Sequence, residues 1–475
     1  MISDGLKFKP RRAESNQLGF RYETKYKMSK RLKIALISPK GPLYRRRGGI
    51  FKQGLRYMPL TFPTLASLIP DDVPAQVVCY DEGVEDIPDN IDADLIGMTV
   101  ITGCAPRVYE LSKRFREQGI PVVLGGPHVT LVPEDAQPHA DSIVVGYAEQ
   151  EWPRLLRDFQ RGEMKSRYDQ SPDFELGGFP LPNRKVLPRR KYLTPHVFEA
   201  TRSCIHGCEF CVAPSAWGRK QLKKPVGEII DDMRRMKTRK AIFVDLNLIS
   251  DRDYALELFS ALKPLSIQWY GLSTTLLCKD LEFLDAAAES GCRGLLMGLE
   301  SISSSNLRGV GKGFNKPSDY AEVVDLLHQR DIALQGCFVF GLDSDTPDVF
   351  EETANFAIET KIDLPRFAIA TPFPGTPLYR RLENEGRIID KNWSNYDGQH
   401  VVFKPTNMTA SELQRGTAKA WEMSYSWKNM VKRLSTSAAP WYITALTNWG
   451  YRHYAYRLDK YYTCDWFFDT EDMTR

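Results

Sequence analysis

Apolar residues in this chain fall into two successive series of short runs, and the spacing between the runs predicts the fold. In the first series, residues 32–37, 75–80, 95–100, 122–124 and 143–145 are apolar stretches of strand length bounded by turn residues. Between them, residues 63–69, 106–118 and 151–159 carry apolar positions at helical spacing, as Val108, Leu111 and Phe115 do in the middle segment. Strands alternating with helices over residues 31–162 predict an α/β domain of the doubly wound, Rossmann- or flavodoxin-like kind, whose ligands sit at the carboxyl ends of a parallel sheet.

The second series begins at residue 196. Strand-like runs at 196–200, 241–244, 267–272, 295–299, 335–340 and 367–370 alternate with helix-like segments at 226–236, 251–262, 281–289, 321–329 and 346–360. Six strands alternating with helices predict a second α/β unit over residues 196–380, with its chemistry at the strand ends as in barrels. Between the two series, residues 163–195 are proline-containing, charged and without period, and read as a linker that wraps the domains. Residues 371–379 hold Pro372, Pro374 and Pro377 and read as a rigid cap on the sixth strand. Beyond residue 380 the chain reads as a helical extension, helix-like at 411–431 and rich in aromatics at 441–462.

Charge and cysteine usage change the picture locally. The net charge is +4, yet residues 1–60 hold sixteen Lys or Arg against three Asp or Glu, so residues 1–30 read as a basic, irregular arm. Such an arm can serve nucleic acid or an anionic membrane, but without a recognisable RNA-binding module no stable nucleic-acid partner is expected. Nine cysteines without a pairing pattern, and no apolar run long enough to span a bilayer, predict a reduced, cytoplasmic protein.

Cys204, Cys208 and Cys211 are spaced C-x3-C-x2-C directly after the first strand of the second series. Structural zinc takes four protein ligands, so the set is incomplete for zinc unless His206 turns inward. A 4Fe-4S cluster held by only three thiolates leaves one iron open for a ligand. The strand ends that follow are polar: Asp245 and Asn247, Ser273 to Thr275, Glu300 and Ser301, then Gly341 and Asp343. In the first domain, Ser38, the segment Thr99, Thr102 and Gly103, the run Gly125-Gly126-Pro127-His128 and the run Gly146-Tyr147-Ala148-Glu149 gather at strand ends, where small residues let a backbone approach a large flat ligand.

The C-x3-C-x-aromatic-C pattern resembles the signature of radical S-adenosylmethionine (SAM) enzymes, and the glycine-rich strand ends resemble the cobalamin-binding domain that precedes it in one large class of them. The resemblance implies that residues 196–380 form the partial (β/α)6 barrel of that fold. The resemblance implies three cofactors: a 4Fe-4S cluster on Cys204, Cys208 and Cys211, SAM, and cobalamin. It implies SAM contacts by Asp245 and Asn247 at the methionyl amine, by Glu300 near the ribose and carboxylate, with Ser273 beside them, and by Gly336 and Phe210 at the adenine. Cobalamin is expected among Ser38, Thr99, Thr102, Gly103, Gly125, Gly126, His128, Gly146 and Glu149. The D-x-H-x-x-G segment that supplies a histidine to cobalt in many cobalamin proteins is absent. The lower face of cobalt is therefore expected to be open, or met by water or a side chain from the loops at 44–54 or 101–106, with no histidine nitrogen. By the same resemblance, the reaction is methylation of an unactivated carbon or phosphorus through a 5'-deoxyadenosyl radical and methylcobalamin. Ring formation, ring contraction or oxidation remain alternatives, and a non-catalytic sensor or a nucleic-acid-modifying enzyme more distant ones. The expected partners are a small-molecule or lipid-like substrate, an electron donor such as flavodoxin or ferredoxin, and a peripheral membrane through the aromatic C-terminus, which otherwise packs as a cap on the barrel.

Overall fold

The computed structural model describes residues 31–41, 57–435, 437 and 441–458. The basic arm and the loop at 44–54 lie outside the described residues, as does the end of the aromatic C-terminal segment.

The first domain is a parallel sheet of six strands, β1 (Leu32–Ser38), β2 (Ala75–Asp81), β3 (Leu95–Thr99), β4 (Val122–Gly125), β5 (Ser142–Val145) and β6 (Arg167–Asp169), in the order β2-β1-β3-β4-β5-β6. Side chains alternate across a strand, and both faces of β1 are buried. Leu32, Ile34 and Leu36 join Phe62 and Trp152 on one side, while Ala35 and Ile37 join Val108, Leu111 and Phe115 on the other. This two-sided core makes the sheet doubly wound, as the apolar runs predict. Strand β6 is a correction, because it falls inside the predicted linker. Three residues are too few to show a period, and Tyr168 is its one buried side chain, donating from its hydroxyl to Asp158 at 2.9 Å.

The second domain has β7 (Val197–Phe198), then β8 (Thr201–Arg202) paired antiparallel with β9 (Leu222–Lys223), then β10 (Lys240–Phe243), β11 (Gln268–Ser273), β12 (Cys292–Glu300), β13 (Ala333–Phe340) and β14 (Arg366–Ile369). The parallel order is β14-β13-β12-β11-β10-β7, an open barrel of six strands. The first strand is shorter than the predicted 196–200. The backbone N–H groups of Ala200 and Thr201 leave the ladder and donate to the Asp245 carboxylate, and the chain then turns through Ser203 at φ 67°. Helices Val212–Trp217, Ser304–Gly309 and Pro377–Asn384 were not foreseen. The last begins inside the proline-rich cap, with Thr376 capping Tyr379 N–H and Pro377 in the first turn, a start signal readable from Thr-Pro. The predicted helix at 411–431 is two helices, Ala410–Ser424 and Trp427–Leu434, because Ser426 starts a new one by accepting from Asn429 N–H.

Along β13 and β14, Phe338, Phe340, Phe367 and Ile369 point outward and are buried under helices, whereas Gln335, Cys337, Val339 and Ala368 are only half-buried. A closed eight-strand barrel fills its interior with side chains. Six strands leave a lumen. The unpaired edge of β14 is covered by the C-terminal extension: Trp421 Nε1 and Gln399 Nε2 both donate to Phe367 O (3.0 and 3.1 Å), and Tyr425 donates to Pro365 O at 2.8 Å. Tyr451 stacks on Trp421 and Tyr425, and its hydroxyl accepts from Gln335 Nε2 at 2.8 Å. The aromatic extension thus caps the open side of the barrel.

Candidate active site

The loop from Ser203 to Cys211 is fixed from three sides. Glu209 N–H donates to Val310 O (3.1 Å), Leu378 N–H donates to Glu209 O (3.2 Å), and Arg219 Nε donates to Ile205 O (2.9 Å). Arg381 clamps the Glu209 carboxylate, 2.7 Å away. Cys208 is buried and Cys204 and Cys211 are half-buried, all three as free thiols. Burial pushes the Cys208 thiol up to about 11 while the nearby Lys312 ammonium pulls it down, so a cation stands where thiolate charge would form. Among the described residues no three His, Cys, Asp or Glu side chains converge as ligands of one ion would. A cubane cluster gives each thiolate its own iron, so its three sulfurs need no such convergence. His206 stacks on Phe314 with ring centroids 4.4 Å apart, away from the fourth-ligand role that zinc would require.

At the strand ends the predicted residues divide. Asp245 is fully buried and serves the fold: it accepts from Ala200 N–H at 3.1 Å, from the Thr201 hydroxyl at 2.7 Å and from Thr201 N–H, pinning the turn into the cysteine loop. The expected amine contact would have to share this carboxyl with the turn. Asn247, two residues on, is buried with its side-chain carbonyl oxygen unpartnered, and the Thr274 hydroxyl is orphaned likewise. Buried polar atoms are normally paired, so two at adjacent strand ends fit a ligand that brings donors and acceptors, as the amine and hydroxyls of SAM do. Ser273 is turned to its neighbour, donating to Thr274 O at 3.1 Å.

Glu300 ends β12 with φ at 66°, beyond a register shift between Gly298 and Glu300. Backbone in this region is costly for a residue with a side chain, and such strain gathers at functional sites. Its carboxylate pairs with Lys312, which also donates to Gly298 O at 3.3 Å. A Cβ at Gly298 would lie 2.1 Å from Glu300 Oε1 and 2.6 Å from Lys312 Nζ, so any larger residue would shift this ion pair off the strand. Sequence reasoning missed Lys312, and with it Asn315, which donates to Gly298 O (2.9 Å) and accepts from the Thr275 hydroxyl (2.7 Å). The Gly311-Lys312-Gly313 run was the available signal. Gly336 packs outward on Leu299 and Ile362, so the lumen position on β13 is Cys337. Phe210 is half-buried against the barrel core.

Between the two domains lies a cavity of about 360 Å³. One wall is the first sheet, with Thr99, Gly125, Gly126, Gly146, Tyr147 and Glu149; the other is the start of the barrel, with Glu199, Thr201, Arg202, Ser203 and Trp217. At Gly126, φ is 110° and a Cβ would meet Val100 O at 2.8 Å, so only glycine brings this backbone to the cavity wall. Tyr147, on the cavity wall, stacks on Trp217 at 5.4 Å, and its buried hydroxyl has no partner. Ser38, Thr102, Gly103 and His128, also expected here, do not line the cavity. The His128 ring is fully buried, with Nδ1 3.3 Å from the Thr102 hydroxyl, Nε2 3.0 Å from Asp135 and 3.2 Å from the Tyr109 hydroxyl, and the edge of Trp393 beside it. It joins the first domain to the C-terminal extension.

Arg202 ties the cavity walls together. It bonds Glu149 of the first domain, lies 3.0 Å from Glu199 of the second, and sits 5.0 Å over the Tyr147 ring. Lys224 holds the other oxygen of Glu199 at 3.0 Å. Although burial alone would raise it, these cations hold the Glu199 carboxyl at about 2.

Fold and site together define a radical SAM barrel joined at its mouth to a cobalamin-type sheet. Comparison with known proteins follows the same outline: residues 198–357 match the Radical SAM superfamily, residues 67–156 the B12 binding domain, and residues 376–451 a domain of unknown function. The chain is 30% identical over 429 residues to bacteriochlorophyllide d C-12(1)-methyltransferase of Chlorobaculum tepidum, covering 86% of this chain and 91% of that protein. It is 31% identical over 361 residues to the C-8(2)-methyltransferase of the same organism, covering 72% and 80%. The radical SAM methyltransferase TsrM from Kitasatospora setae shares the fold, with a TM-score of 0.64 at 16% identity, over 90% of this chain and 98% of that one. The chain belongs to the cobalamin-dependent radical SAM family and is an enzyme of its methyltransferase-like branch. Its cofactors are those of that family: a 4Fe-4S cluster, SAM and cobalamin. Among the described residues, no helix is long and apolar enough to cross a membrane.

Proposed function

We propose that this enzyme methylates an unactivated carbon on the periphery of a tetrapyrrole-like substrate held between the interdomain cavity and the barrel mouth. Two relatives, 30% and 31% identical to the chain, act by name on bacteriochlorophyllides. The observation that carries the reading is the shared cavity, whose walls come from both domains and which opens beside the cysteine loop through Ser203. When bound, the cluster and SAM supply hydrogen abstraction, and cobalamin supplies the methyl group.

The protein's part is to hold and orient. Cys204, Cys208 and Cys211 would hold the cluster, on a loop that Arg219, Arg381 and Val310 keep in place. Asn247 and Thr274 would meet SAM with their unpartnered oxygens, next to the Glu300–Lys312 pair. Thr99, Gly125, Gly126, Gly146 and Tyr147 would receive cobalamin, with Glu149 and Arg202 closing the far side. Val244, half-buried on the lumen side, and the exposed Leu246 extend the apolar wall from cavity to lumen, and an apolar ring substrate gains free energy by covering it. A one-electron donor such as flavodoxin or ferredoxin would reach the cysteine loop from its exposed side, where Ile205 is 41% exposed.

The test is an anaerobic assay of the reconstituted enzyme with methyl-deuterated SAM and a bacteriochlorophyllide. The expected result is 5'-deoxyadenosine together with deuterated-methyl product. Deoxyadenosine with a ring-altered, unmethylated product would replace methyl transfer by ring chemistry. Failure to cleave SAM at all would overturn the enzymatic reading.

A further inference from the structure

Thirteen large apolar side chains are exposed among the described residues, and five of them cluster near the C-terminus: Trp427, Val431, Leu446, Trp449 and Tyr456. Trp427 and Val431, four apart on the helix Trp427–Leu434, are 59% and 71% exposed and share a face. Leu446 and Trp449, three apart on the helix Trp441–Ala455, are 68% and 44% exposed and share another. Arg452 joins the two faces, its guanidinium 4.8 Å from the Trp427 ring and 4.2 Å from the Tyr456 ring. Lys428, Lys432 and Arg457 are exposed on these two helices and just beyond them, and residues 427–458 contain no Asp or Glu.

The opposite sides of these helices are anchored. Arg433 is fully buried and donates to Ile362 O, Asp363 O, Ser424 O and the Asn448 side chain, at 2.7 to 3.3 Å. Asn448 sits on the second helix, so one buried guanidinium fixes both helices with their apolar tips outward. A monomer in water gains nothing from displaying two tryptophans and three other large apolar side chains together, and such patches mark interaction sites. Aromatic tips with a cationic border match the boundary between headgroups and acyl chains of an anionic bilayer.

We propose that the helices Trp427–Leu434 and Trp441–Ala455 form a peripheral membrane-binding face, seated in the plane of an anionic lipid surface. The inference stands on this surface alone and goes beyond the reading of the site. It places the enzyme where an apolar substrate would concentrate.

The experiment is vesicle flotation of the full chain with equimolar phosphatidylglycerol and phosphatidylcholine, and with phosphatidylcholine alone. One variant combines Trp427→Ser, Leu446→Ser and Trp449→Ser; a second combines Lys428→Glu and Lys432→Glu. The expected result is flotation with the anionic vesicles, weakened by salt near ~0.5 M, and weaker by about tenfold or more in each variant. Circular dichroism checks that the variants fold, and the lysine variant, altered only at exposed positions, keeps the test decisive if the serine variant does not. Three results would overturn the proposal: no flotation of the wild type, flotation unchanged in both variants, or a lipid-free dimer that the serine variant dissociates, which would assign the face to a second copy of the chain.

Discussion

Arg202 is the point where the two domains depend on each other, and its replacement by Met tests that dependence. Its side chain is 14% exposed and that of Glu149 is 4% exposed, so both charges are largely out of water. Arg202→Met keeps the bulk of the side chain and strands Glu149, whose other oxygen accepts only from Ala148 N–H at 3.2 Å. Glu199 retains Lys224. Removing one member of a buried pair costs roughly 3–5 kcal/mol, mostly from the charge left behind. Urea unfolding of the chain without cofactors should therefore show a loss of about that size, and Arg202→Met with Glu149→Gln together should recover ~2 kcal/mol of it, because the stranded charge is gone. The pH dependence has a definite sign. The folded Glu199 carboxyl is held at about 2 against an ordinary value of 4.5, so its contribution is present above pH 4.5 and fades as pH falls toward 2. Wild type should lose roughly 3 kcal/mol over that interval from this group, and Arg202→Met should lose less. A cost under about 1 kcal/mol for Arg202→Met, or no recovery in the double variant, would refute the argument.

Four further outcomes concern the site. Replacing Cys204, Cys208 and Cys211 together by Ala should abolish binding of the roughly four irons of a reconstituted cluster, while replacing Cys278, Cys292 and Cys337 should leave iron content unchanged, by colorimetric iron assay. Burial pushes the Asp245 carboxyl up to about 7, so the folded chain keeps a proton that the unfolded chain has lost; stability should fall as pH rises from about 4 to 7. Asp245→Ala, which leaves two backbone N–H groups without their acceptor, should cost about 3 kcal/mol in thermal or urea unfolding, and a cost near zero would show that the turn holds itself. His128→Ala should leave the electron paramagnetic resonance of bound Co(II) cobalamin unchanged, since that ring is enclosed by Thr102, Tyr109 and Asp135, and a lost nitrogen splitting would contradict its placement.

The local signals in the sequence carried both domains and the cysteine loop. Period-two and period-3.6 apolar patterns are properties of consecutive residues, so the six barrel strands and helices such as Val226–Met236 and Leu281–Glu289 were legible from the chain alone. The cysteine triad was legible for the same reason, since three thiols on one short loop need no distant partner. Elements of two or three residues, such as β6 and β8, were hidden because their pairing comes from the neighbouring strand and not from their own pattern. The roles of polar residues were decided by tertiary structure. Asp245 and Asn247 stand two apart at one strand end and are equally polar in sequence, yet the backbone N–H groups of Ala200 and Thr201 consume the first and leave the second with an open acceptor. Lys312 reaches Glu300 only because its loop folds back on Gly298, and His128 is enclosed because Trp393, 265 residues further on, closes over it. Sequence determines what a side chain can donate or accept, but which partner reaches it first depends on contacts between residues far apart in the chain, and those exist only in the folded molecule.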